Sequence, residues 1–395
     1  MQDGVSGNYV TRILAGMDEI APAVWDGLLV RQASPTPFMQ HAYLQALCDS
    51  GSASPGTGWT LRLFTLWQGE ALAAACPVWL KTHSRGEYVF DWAWAEAYER
   101  HGLPYYPKAV VASPFTPVPG TRLLARNPTD RSALLQALIA WCVVEGLPSL
   151  HILFGDAADQ AASQEAGLVL RQQVQFHWQN PGWRDFDDFL GSLNQDKRKK
   201  IRQERRKVRE AGVVFRCVTG SQASDSDWAF VERCYQQTYW EHGNPPYLQP
   251  GFFAAMRQHM PAHWLLCLGE RAGEPMAMSL IGLQHDAAGL PHVAYGRYWG
   301  ATQRVDCLHF EACYYQPIEW CIAHGVQRFE GGAQGEHKMA RALLPVHTAS
   351  AHWIAHPGFA DAIERFLTRE REGVADYMEV LAQHSPLRQS SPPLK

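Results

Sequence analysis

The stretch FEGGAQGEHKMARALLPVHTASAHW, beginning at Phe329, gathers Glu330, Glu336, His337, Lys338, Arg341, His347 and His352 around Gly331, Gly332 and Gly335. A core strand does not carry this many titratable groups. A carboxylate or imidazole on a Gly-rich turn can take a proton from an attacking amine, whose free pKa is about 8–10. Lys338 and Arg341 beside them can hold a phosphate or a carboxylate. The set suits amide formation from a thioester or ester. That reaction needs a base for the amine, donors for the tetrahedral oxyanion, and a scaffold that keeps the reactants in line. One of Glu330, Glu336 or His337 is the expected base, and ion pairing within the turn is the alternative role. His347 and His352 form H-x4-H without a helical H-E-x-x-H, so no metal is expected.

Other residues suit substrate binding. In YGRYWGA, Tyr295, Arg297 and Trp299 alternate along a strand and share a face. Glu311 and Tyr315, four apart, share a helix face. In DWAWAEAYERHGLPYYPKAVV (91–111), Asp91, Trp92 and Trp94 precede Glu96, Tyr98, Glu99, Arg100 and His101. Carboxylates on an aromatic wall suit a cationic or sugar-bearing acceptor, and packing of the two tryptophans is the plainer reading. The run KRKKIRQERRKVR (197–209) surrounds a helix with positive charge, fit for RNA or CoA phosphates or simply for solvent.

The elements that must position these groups come from an internal repeat. IAWCVVEGLPSL (139–150) matches IEWCIAHGVQRF (318–329), each a helix end, a Gly cap and a strand start. Upstream, LFTLWQGEALAAACPVWL (63–80) matches LLCLGERAGEPMAMSLIGL (265–283), each a strand, a Gly-Glu turn and a strand. From Gly69 to Ile139 is 70 residues and from Gly273 to Ile318 is 45, so the first half carries an insertion, placed at 91–111. Strands alternating with helices around an antiparallel hairpin make each half a mixed α/β (α+β) domain. The expected divisions are 10–185, a charged helical connector at 186–212, a second domain at 213–384 and a disordered tail at 385–395.

The net charge of −4 over 395 residues is not the overall signature of a nucleic-acid binder, so a basic patch would have to act locally. MQDGVSGNYVTR lacks the basic and apolar regions of a signal peptide, and the longest apolar run, near ALAAACPVWL (71–80), is too short to span a bilayer. Nine scattered cysteines without C-x-x-C read as reduced thiols. A cytoplasmic protein is expected.

Taken together, SPTPFMQHAYLQAL, LKTHSRGEYVFDWAWAEAYERHGLPYYPK, SPFTPVPGTRLL, VQFHWQN, LNQDKRKKIRQERRKV, YGRYWGA, LHFEACYYQPIEW and FEGGAQGEHK resemble the FemAB-like predicted N-acyltransferase family of the GNAT superfamily. The resemblance spans roughly 34–370. It implies two tandem GNAT-like domains, mixed sheets flanked by helices, and acyl transfer to an amine. It implies no particular substrate; acyl-CoA is the expected co-substrate, with aminoacyl-tRNA, met by the 197–209 helix, as the alternative and no tightly bound cofactor. The acceptor would be a small-molecule, cell-wall or lipid-precursor amine in a pocket lined by the insertion and by 295–338. A catalytically inactive binding module of the same fold is the other alternative. The GNAT pyrophosphate loop, [RQ]-x-x-G-x-[GA], implies CoA contacts from Arg297, Gly300 and Ala301. Thr302 departs from it at the last position.

Overall fold

The computed structural model describes residues 9–332 and 335–388. Residues 1–8 of the stretch read for a leader, Ala333 and Gln334 of the Gly-rich turn, and 389–395 of the tail lie outside the described residues. The chain divides into two compact units. The first comprises Met1–Gln173, Tyr247–Phe252 and Thr348–Val374; the second comprises Val174–Pro246, Phe253–His347 and Ala375–Lys395.

The first unit opens with β1 (Val10–Leu14), α1 (Pro22–Leu29) and α2 (His41–Asp49). The hairpin β2 (Trp59–Gln68) and β3 (Ala71–Lys81) turns at Gly69, whose φ of 61° a tight hairpin requires. Then come α3 (Trp92–Arg100), β4 (Lys108–Val111), β5 (Leu124–Ala125), α4 (Pro128–Val144), β6 (Ser149–Ile152) and α5 (Ala157–Glu165). Asn127 caps α4 by accepting from Asp130 N. β1, β2, β3 and β4 pair antiparallel in that order, and β4 pairs parallel with β6. Phe64, Val78, Val111, Leu134, Leu138 and Leu150 fill the core between sheet and α4.

The chain continues through β7 (Val169–Gln179), α6 (Phe186–Ser192), α7 (Gln195–Glu210), β8 (Val213–Thr219), α8 (Asp225–Glu241) and α9 (Pro250–His259). β9 (Trp264–Arg271), β10 (Glu274–His285) and β11 (Pro291–Ala301) follow. Next, α10 (Leu308–Phe310) runs through a π turn at Glu311–Tyr315 into α11 (Gln316–Ala323) and β12 (Arg328–Glu330). β13 (Leu344–Ile354) and α12 (Pro357–Gln383) end the fold. In the second unit β8, β9, β10 and β11 pair antiparallel in that order, and β11 pairs parallel with β12. Both units therefore repeat strand, two helices, hairpin, strand, helix and strand.

Each repeat is closed by a strand from elsewhere in the chain. β13 pairs antiparallel with β6, setting His352 opposite His151, and β7 pairs antiparallel with β12, setting His177 opposite Glu330. The repeat that aligns Ile139 with Ile318 also aligns His151 with Glu330. The two copies thus carry a buried polar residue facing a histidine at the same place in the ladder.

Three expectations change. The charges of α7 do not surround it: Ile201, Glu204 and Val208 are buried along one stripe. Cys217 and Cys267, opposite each other on β8 and β9, form a disulfide rather than staying reduced. Residues 386–388 are not disordered: Leu387 bridges Leu193, and Pro386 O accepts from Asn194 N. No described helix is long and apolar enough to cross a membrane.

Candidate active site

β11 and β12 pair only over Val293–Tyr295 and Arg328–Glu330, while β11 runs on to Ala301. At this parting the chain after β12 turns through Gly331 and Gly332, the latter with φ 85°. A side chain at Gly332 would come within 3.7 Å of Gly296 O and 3.9 Å of Lys338 Nζ. Those are ordinary contact distances, so it is the positive φ that favours glycine here, at a point flanked by a strand carbonyl and an ammonium group.

Lys338 lies on the short 3-10 turn Glu336–Arg341 and is 3% exposed. Its Nζ donates to Gly332 O at 2.8 Å. Burial pushes its pKa down to about 8, with the neighbouring Cys313 opposing. It remains largely an ammonium at neutral pH, with further N–H donors than the one bond to Gly332 uses. Buried donors at a strand parting suit a developing oxyanion.

His337 is exposed, and its Nε2 lies 3.1 Å from the Tyr314 hydroxyl. Its ring neighbours are Tyr314 at 6.0 Å, Phe310 at 6.2 Å and His309 at 6.4 Å. Partial burial, then Lys338 and Arg341, hold its pKa below the ordinary histidine value. The imidazole is therefore neutral at pH 7 and able to accept a proton. His309 is lowered further, to about 4, chiefly by burial. Tyr314 and Phe310 were not among the expected site residues. Tyr314 lies within the π turn and Phe310 just before it, and no spacing in the sequence announces that turn.

The other two candidate bases differ. Glu330, 4% exposed, accepts from Arg328 Nε at 3.0 Å and lies 3.7 Å from His177 Nε2. Burial drives the His177 pKa down to about 3, so that contact is not an ion pair at neutral pH. Glu336 is exposed and accepts from the Tyr377 hydroxyl at 2.6 Å.

The expected binding residues separate by role. Arg297, Gly300 and Ala301 belong to β11 itself, not to a loop; the connection to the next helix is 302–307. The ladder to β10 skips Arg297, making it the extra residue of a β-bulge, so simple alternation does not carry Tyr295, Arg297 and Trp299 along one face. Gly300 is needed for packing: a Cβ there would sit 2.6 Å from Cys234 O on α8. Tyr295 is buried and its hydroxyl donates to Gln284 Oε1 at 2.5 Å. Glu311 accepts from Arg205 at 3.1 Å and from Gln316 at 2.7 Å. Tyr315 and Arg341 are buried and bonded to each other and to Glu204. Trp299 lines a pocket of about 370 Å³ with Thr302, Arg304, Leu308, His309 and Phe310. His309 and Phe310 are the rings beside His337, so the pocket adjoins that imidazole.

Asp91, Trp92 and Trp94 lie in the first unit. Asp91 is 2% exposed, where Lys108 Nζ and the Tyr105 hydroxyl donate to it, so it lines no open groove. Trp94 packs against His151 and His352, and Trp92 is exposed. Among the described residues no group of three or more His, Cys, Asp or Glu could hold a metal ion.

The arginines of α7 meet in an open groove of about 1020 Å³ lined by Arg198, Lys199, Arg202, Arg206, Arg209 and Phe186, among others. Arg202 and Arg206 also contact Asp187 at 3.4 Å and Glu210 at 3.7 Å, exposed pairs that contribute little.

Solved structures with similar folds include L-PGS from Bacillus licheniformis, at TM-score 0.54 and 10% identity over 88% of this chain and 97% of that one. FemX matches at TM-score 0.53 and 11% identity over 87% and 98%. The C-terminal domain of a putative lysylphosphatidylglycerol synthetase from Agrobacterium fabrum matches at TM-score 0.51 and 9% identity over 87% and 94%. At these identities the likeness is one of fold. No curated protein matches the sequence. The FemAB-like family model, described as peptidoglycan biosynthesis/recognition, matches residues 16–389, and on that extent the chain belongs to the FemAB-like family.

Proposed function

We propose that this FemAB-like transferase acylates an amine at the parting of β11 and β12. The supporting observation is the Lys338 ammonium, buried at this parting with one bond to Gly332 O, and next in sequence to the neutral His337. In this reading the acceptor enters as the neutral amine, its ammonium proton already released to solvent, and His337 takes the second N–H proton as the nitrogen attacks. The amine nitrogen bonds to the donor carbonyl carbon, and Lys338 holds the oxyanion. As the intermediate collapses, the carbonyl's bond to the carrier oxygen or sulfur breaks, and the proton on His337 passes to that leaving atom. Glu330 supports the strand end, and Glu336 the turn through Tyr377.

Both expected carriers bear phosphates remote from the acyl ester or thioester, and the geometry favours the second. The proposed CoA cradle at Arg297, Gly300 and Ala301 is strand, and the close approach of α8 accounts for Gly300. Arg198, Arg202, Arg206 and Arg209 lie along α7 over about 16 Å, close to one helical turn apart. That run suits successive phosphates of a nucleic-acid strand better than one compact pyrophosphate. In this reading the carrier is a charged tRNA. The family description supports a cell-wall precursor amine as acceptor.

Thermal shift of the full chain against charged tRNA, uncharged tRNA and acetyl-CoA tests the donor. A midpoint raised by tRNA, shrinking steeply with salt, is expected. A shift with acetyl-CoA alone would move the carrier to the pocket beside residues 302–307 and sink the tRNA reading.

A further inference from the structure

The turn that carries His337 and Lys338 is held from beneath by a buried polar triad. Arg341, 2% exposed, donates from Nη2 to Glu204 Oε2 at 2.8 Å, from Nε to the Tyr315 hydroxyl at 3.1 Å and from Nη1 to His337 O at 2.8 Å. The Tyr315 hydroxyl donates to the same oxygen of Glu204. The guanidinium also lies over the Phe310 ring, 3.7 Å from its centroid. Glu204 projects from the buried stripe of α7, while Arg198, Arg202 and Arg209 of that helix line the open groove. One helix therefore meets the carrier groove and, through a single carboxylate, the turn of the site.

We propose that Glu204, Tyr315 and Arg341 form a latch fixing the turn that bears His337 and Lys338 to α7, with Arg341 a positioning residue for the transfer site. A buried ion pair contributes little net stability over well-packed apolar residues, so stability alone does not call for it. Three directed bonds from a planar guanidinium do constrain position, and one ends on the backbone of His337 itself. The charged and titratable groups around His337 are Lys338 and Arg341 on its own turn and His309 and Tyr314 on the helix packed against it. Burial is the main cause of the lowered His337 pKa, and removing Arg341 removes one of the two cations that add to it. This inference deepens the reading of His337 as the base.

The test follows His337 by NMR pH titration and the amides of 336–341 by hydrogen exchange, in the full chain. The paired change Glu204→Gln with Arg341→Gln avoids stranding one buried charge. The proposal expects the His337 pKa to rise toward the ordinary histidine value and the turn amides to exchange about tenfold faster. Arg341→Lys keeps the charge and loses the fork, so faster exchange with a still-lowered pKa is expected. If the paired variant does not fold, this single variant decides through exchange. A folded paired variant with unchanged titration and exchange, or unchanged exchange in Arg341→Lys alone, would overturn the latch. Neither readout uses turnover. Should His337 prove not to be the base, the titration would still report on the latch.

Discussion

At the scale of single residues, burial decides which groups titrate and when. His352 is 1% exposed on β13, with Nδ1 2.7 Å from Nδ1 of His151. Burial pushes its pKa down to about 3. The unfolded chain binds a proton on this residue as pH falls below about 6.5, whereas the folded chain does not until about 3. More protons are bound in the unfolded state across that window, so acid costs stability there. The slope is about 1.4 kcal/mol per pH unit for one such group. His352→Gln should flatten the loss of stability between pH 6.5 and 5 by about that slope. Denaturant midpoints of both forms at several pH values would show it, and equal slopes would contradict it. Glu87, raised to about 7 chiefly by burial, acts oppositely: its folded form keeps a proton that the unfolded form has released, so its contribution favours lower pH. The comparison of variant with parent cancels that background.

At the scale of elements, α8 and β11 explain a glycine that the sequence offers as a ligand contact. Gly300→Ala would place a methyl 2.6 Å from Cys234 O and 2.7 Å from Cys234 Cβ. The helix or the strand must shift, at about 1–3 kcal/mol, by overpacking. The thermal midpoint should fall while donor binding survives. An unchanged midpoint with lost acetyl-CoA binding would restore the cradle reading. This contrast marks what the sequence could convey. The strand YGRYWGA, the Gly-Glu hairpins and the helix ahead of Val326 were legible from period and turn residues. The bulge at Arg297 and the π turn at Glu311–Tyr315 were not, because each shifts register by one residue without a marker in composition. The burial of Glu204 within a basic run was also hidden. Only the Ile201 and Val208 spacing hinted that one face of α7 is packed.

At the scale of the whole molecule, the repeat was legible and the completion of each copy was not. Local matches identify a hairpin or a helix–strand unit, but strand pairing between residues as far apart as His151 and His352 leaves no local trace. The same holds for the site: Glu330, His337 and Lys338 drew attention as one segment, whereas Tyr314 and His309 join them only through folding. The chain is acidic overall at −4, yet α7 concentrates cations along one groove, so any attraction for a polyanion is local and weakened by salt. This is why the donor screen reads its midpoint shifts against ionic strength.

The measurement closest to the central claim is amide formation followed by mass spectrometry. Charged tRNA or acetyl-CoA would serve as donor and a soluble amine-bearing cell-wall precursor as acceptor, with wild type, Lys338→Met and His337→Gln compared. Loss of an oxyanion donor should lower turnover by about 10²-fold with little change in donor binding, and loss of the base should lower it by at least about tenfold. Product formed by wild type, with both folded variants impaired, is the predicted result; equal rates from Lys338→Met and wild type would contradict the account.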